Sequence, residues 1–79
     1  MKNLHLVYQA IKEVEDNTLF KFECVDEENE LHFSYYKEDY RMIISSESIY
    51  IDPQESSVLI SYKEMCVLMK LMSILKEFN

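Results

Sequence analysis

The chain is expected to fold as an α+β domain, an antiparallel sheet of about four to five short strands with a C-terminal helix, and an N-terminal helix, packed on it. Three observations predict this. Apolar residues recur at helical spacing near the start, alternate through the middle, and return to helical spacing behind a helix-start signal near the end. With 79 residues the chain has room for one domain, residues 1–79, built around one core.

Leu4, Val7, Tyr8, Ile11 and Val14 follow the i, i+3, i+4, i+7, i+10 pattern of an amphipathic helix, with Asn3 placed to cap it. A strand running into a hairpin at Asp16-Asn17 is the competing reading. It breaks strict alternation, because Val7 and Ile11 would face away from Leu4, Leu6 and Tyr8. Residues 18–25 then put Phe20, Phe22 and Cys24 on one face and Lys21 and Glu23 on the other. A turn is expected at Asp26–Glu30. Residues 31–36 alternate Leu31, Phe33 and Tyr35 against His32, Ser34 and Tyr36. Residues 40–45 carry Tyr40, Met42 and Ile44, and residues 48–52 carry Ile49 and Ile51 after a Ser-Ser-Glu turn. Pro53 cannot donate to a ladder and ends that strand, and Ser57 to Ile60 offer one more short strand. Short connections between successive strands predict a meander.

Ser61 and Glu64 form a Ser-x-x-Glu capping box before an apolar run, which predicts a helix from Tyr62 to about Phe78. On a helical wheel Val67, Leu68, Leu71, Leu75 and Phe78 fill one arc. Met65, Met69 and Met72 widen it to roughly 220°, more than a sheet-packing stripe requires. This helix should therefore touch two surfaces: the sheet, and either the first helix, a second copy or a partner. Methionines at this spacing suit an adaptable contact surface, and equally suit irregular core space.

Composition narrows the function classes. Hydrophobic residues make up 48% of the chain, with six Tyr and four Phe, which argues against disorder. A net charge of −7 and a single Arg oppose direct binding to nucleic acid or to an anionic membrane. Acidic charge favours basic partners, or serves solubility alone. Glycine is absent, so phosphate-cradling loops have no basis, and turns that need a positive φ fall to Asn17 and Asn29. Cys24 and Cys66 lie in apolar runs, as small buried hydrophobes would, and make no disulfide framework. The start reads as one Lys and an amphipathic stretch rather than a leader, and a reduced, cytoplasmic setting is expected.

No cofactor, metal or catalytic constellation is expected. His5, His32, Cys24 and Cys66 show no zinc spacing and no nucleophile–base pair. The densest acidic cluster, Asp26, Glu27, Glu28 and Glu30, reads as a solvated turn and also as a candidate nucleic-acid mimic. Tyr35, Tyr36, Tyr40 and Arg41 interleave aromatic and basic residues, a composition enriched in protein-interface hot spots. The segment Val58 to Leu75 resembles the closing strand and helix of one single-strand-binding fold, but the basic strand surface of that fold is missing. The expected function is a small acidic regulator or adaptor, not an enzyme, acting on a protein partner or on itself as a homodimer. The partner-binding candidates are Met65, Met69, Met72 and the Tyr35–Arg41 segment. The alternative is an acidic inhibitor, of a kind common in phages, that imitates nucleic acid.

Overall fold

The computed structural model describes residues 4–35, 40–52 and 60–77. The order of elements is α1 (Leu4–Asn17), β1 (Phe20–Val25), β2 (Leu31–Tyr35), β3 (Arg41–Ile44), β4 (Ile49–Asp52) and α2 (Tyr62–Glu77). The four described strands form one antiparallel meander, in the order β1-β2-β3-β4. The α+β architecture is as expected. Asn3, Tyr36, Phe78 and residues 57–59 of the possible fifth strand lie outside the described residues.

Helical spacing wins in α1, where Val7, Ala10, Ile11 and Val14 form its buried stripe. Leu4 and Tyr8, expected on that stripe, are instead 41% and 58% exposed. The helix ends on side chains. Asn17 Nδ2 donates to the Glu13 carbonyl, and Thr18 Oγ1 and N–H both donate to the Val14 carbonyl. Asn17 therefore stays helical and, contrary to expectation, takes no positive φ. Asn29, at φ 63°, is the one described residue with a positive φ.

Both helices lie on one side of the sheet. Phe20, Leu31, Phe33, Met42 and Ile44 meet Val7, Ile11, Val14, Leu68, Leu71 and Leu75 in a shared core, with Ile49, Ile51, Met72 and Ile74 packed around it. The capping box of α2 forms as expected: Glu64 N–H donates to Ser61 Oγ (3.2 Å) and Ser61 N–H to Glu64 Oε1 (3.0 Å). Such a cap is worth about 1 kcal/mol. Lys70 reaches Glu13 at 3.0 Å and ties α2 to α1, an exposed pair worth at most about 1 kcal/mol.

A β-bulge in β1 changes which residues face inward. The pairing runs Phe22↔Phe33, then Cys24↔His32 and Val25↔Leu31, so Glu23 is the extra residue. Beyond the bulge the alternation reverses. Cys24 joins His32 on the outer face, and Val25 lands opposite Leu31 on the helix side. Cys24 is thus exposed rather than an inner-face residue, and Cys66 is exposed on α2; both are free thiols. Their apolar neighbours do not bury them, because the bulge turns one outward and the helical phase turns the other.

The open edge of β1 is covered by side chains of α1 and the turn after it. Phe20 N–H donates to Thr18 Oγ1 (3.0 Å) and Phe22 N–H to Glu15 Oε2 (3.0 Å). Both donors are satisfied without another strand, which blunts an edge that would otherwise template pairing.

Candidate protein-binding surface

The reversal in β1 opens an apolar groove beside α1. Val7, Ile11 and Leu31 form its buried floor with Leu75 of α2. Leu4, Tyr8 and Val25 stand along its exposed rim, and Phe22, Cys24 and Asn29 complete the lining. It measures about 340 Å³, and no charged residue lines it among the described residues. Helical spacing places Leu4, Tyr8 and Ile11 on one side of α1, and the register shift supplies Val25 from the sheet. This concentration of exposed apolar groups exceeds the scattered single residues usual on a surface. Sequence reasoning missed Leu4, Tyr8 and Val25 as site residues. The width of the apolar stripe in residues 4–14 was the available signal; the contribution of Val25 left none.

The expected methionine edge of α2 divides on folding. Met72 packs against the core, Met65 is half-buried, and Met69 is 57% exposed. The first helix supplies the second surface that the wide arc requires, since α2 lies against α1. Tyr62, 86% exposed, adds an aromatic at the start of the helix.

The aromatic–basic segment also separates. The Tyr35 ring lies 5.2 Å from Phe20 and 5.9 Å from Tyr40, so both tyrosines join a half-buried aromatic cluster. Arg41 is exposed and pairs in register with Ser34 and Asp52. The outer face of the sheet thus carries Lys21, Ser34, Arg41 and Asp52 in one row and Cys24, His32, Ile43 and Tyr50 in the next. Next to β1 this face holds a depression of about 390 Å³ lined by Glu23, Cys24, His32, Phe33, Ser34 and Arg41.

Within the acidic turn Asp26 organises the backbone. Its Oδ1 accepts the N–H groups of Glu28 (2.9 Å) and Glu30 (3.0 Å), and its Oδ2 lies 2.9 Å from His32 Nε2. The hydrogen bond with His32, followed by that from the Glu30 backbone, holds the Asp26 carboxyl down at about 2 from an ordinary 3.8. Glu30 moves the other way. Its hydrogen bond with Asp26, then partial burial, then the charge of Asp26 raise it. Asp26, Glu30 and His32 form the one group among the described residues able to gather three potential metal-ligand atoms, all within 4.8 Å of one another. Both Asp26 oxygens already accept hydrogen bonds, so the turn is closed on itself. Glu27 and Glu28 are the exposed carboxylates of the cluster.

The depressed Asp26 value carries a sign. Its ionised form favours the folded turn, so the contribution is present above pH 3.8 and is lost as pH falls towards about 2. Glu30 contributes oppositely, favouring the fold while protonated and losing that contribution as pH rises through its raised value. Carboxyl NMR titration should show Asp26 titrating near pH 2. His32→Ala should move it up towards 3.8; an unchanged midpoint would assign the depression to the backbone N–H groups alone.

No helix among the described residues is long and apolar enough to cross a membrane. No protein-family model, curated protein or solved structure matches the chain.

Proposed function

We propose that this protein is a small, acidic, non-enzymatic regulator or adaptor that binds a protein partner through the groove between α1 and the bulged end of β1. One observation carries the reading: a groove of about 340 Å³, uncharged among the described residues, whose rim residues Leu4, Tyr8 and Val25 remain 41–58% exposed. Leaving these side chains in water forgoes the burial that stabilises a small domain, and contact with a partner would recover it. Exposed Met69 and Tyr62 on α2 offer a secondary contact of the same character. The two free thiols suit a reducing cytoplasm.

The acidic turn gives less support to nucleic-acid mimicry, because Asp26 is directed into the hairpin and only Glu27 and Glu28 project freely. A mimic needs a row of free carboxylates at phosphate-like spacing. The test compares the wild-type chain with the Tyr8→Ala/Val25→Ser double variant as baits in the native host. Both sites are exposed, so the variant should fold with a melting point close to the wild type. Proteins retained by the wild type and lost from the folded variant are the expected result. Identical retention by both would remove the groove from the function.

A further inference from the structure

We infer that the groove receives a basic amphipathic helix. The inference rests on reading the groove as a protein-binding surface, and adds the shape and the charge of its occupant.

Shape follows from what borders the groove. A strand could add only at the open edge of β1, where Thr18 and Glu15 already take the N–H groups of Phe20 and Phe22. The bulge at Glu23 further breaks the ladder geometry that a new strand would copy. A helix needs no backbone partners and offers apolar side chains at i, i+3, i+4 and i+7. The apolar stripe from Leu4 to Ile11 runs about 10 Å along α1, two turns, which matches two turns of a docked helix.

Charge follows from the end of the groove. Val25 and Asn29 line it, and the carboxylates of Asp26, Glu27, Glu28 and Glu30 belong to the same turn, which contains no Lys or Arg. Lys12, Lys21 and Lys76, next in sequence to the lining residues Ile11, Phe22 and Leu75, are the counter-charges adjoining the described lining, and the four carboxylates of the turn together with Glu23 outnumber them. With a net charge of −7, a second copy would bring an equally acidic turn against this one, so like charges oppose self-docking here. A helix with Lys or Arg beside its apolar stripe meets complementary charge.

The experiment uses two labelled helical peptides with the same leucine stripe, one with Lys and one with Glu on the polar face. Fluorescence anisotropy against the full chain should show the Lys peptide binding at least about tenfold more tightly, with affinity falling as salt rises. Tyr8→Ala/Val25→Ser should weaken it about tenfold or more. Glu27→Lys/Glu28→Lys alters only exposed side chains and should narrow or reverse the preference. Equal binding of both peptides, lost in the groove variant, would overturn the charge assignment while leaving the groove as a binding surface. Unchanged Lys-peptide binding by the groove variant would overturn the inference and the groove together. If neither peptide binds, the inference fails. Sedimentation then decides the groove: a dimer abolished by the groove variant assigns it to a second copy, and a monomer that also captures no host protein removes it.

Discussion

Phe33→Ala is expected to leave the chain largely unfolded at 25 °C. Phe33 is 1% exposed, at the centre of β2, with neighbouring strands on both sides and the helices above. Its ring meets the edge of Phe22 at 5.6 Å, and such a pair adds to the burial itself. Removing the ring forfeits its transfer free energy and leaves a cavity, together about 3–5 kcal/mol. A core of this size supplies a net stability of about 3–5 kcal/mol, so the loss is comparable to the whole. Circular dichroism in urea should show no folded baseline, whereas Phe33→Leu should keep a cooperative transition at a lower midpoint. A Phe33→Ala melt within a few degrees of the wild type would mean that Phe33 does not face the helices.

Leu68→Glu and Met69→Glu, adjacent on α2, should give opposite outcomes. Leu68 is fully buried in the shared core, and a carboxylate there must give up water without a partner, at a cost of several kcal/mol. Met69 is 57% exposed, so its carboxylate stays hydrated and the fold changes by no more than about 0.5 kcal/mol. Thermal melts should show Leu68→Glu without a transition and Met69→Glu close to the wild type. Met72, which packs against the core, should fall between them. Sedimentation then reports what Met69 does beyond the fold. A loss of association in the folded Met69→Glu chain assigns this residue to a self-interface, and a monomer before and after gives it no part in self-association.

The legibility of the fold follows the range of the signals. Helical spacing in α1 and the capping box at Ser61 and Glu64 are local, and they form as read. Alternation locates Leu31, Phe33, Met42 and Ile44 on the inner face because those strands are regular. At Glu23 the pattern fails, since a bulge adds one residue without changing composition, and Cys24 and Val25 exchange faces. The candidate site inherits that failure. Tyr8 and Val25 lie seventeen positions apart and meet only through the bulge and the packing of α1, so neither stretch marks the groove by itself. The contact between His32 and Asp26 is similarly hidden, because it depends on a turn closing on the Asp26 side chain. The Tyr35–Arg41 segment reads as one patch in sequence, yet strand geometry sends Tyr40 towards Tyr35 and leaves Arg41 exposed.

Two turns of this meander, the first and the third, are built from side-chain oxygens where other proteins use glycine. Asp26 Oδ1 receives two backbone N–H groups in the first hairpin, and Ser45 Oγ receives those of Glu47 and Ser48 in the third. Only Asn29 supplies a left-handed residue among those described. The consequence falls on the denatured ensemble. Glycine is the residue that loses most conformational freedom on folding, at roughly 0.5–1 kcal/mol relative to alanine. A chain with none begins from a stiffer unfolded state and has less disorder to surrender when it orders. Part of the stability of this small core therefore originates in the molecule before it has folded, where no contact in the native structure records it.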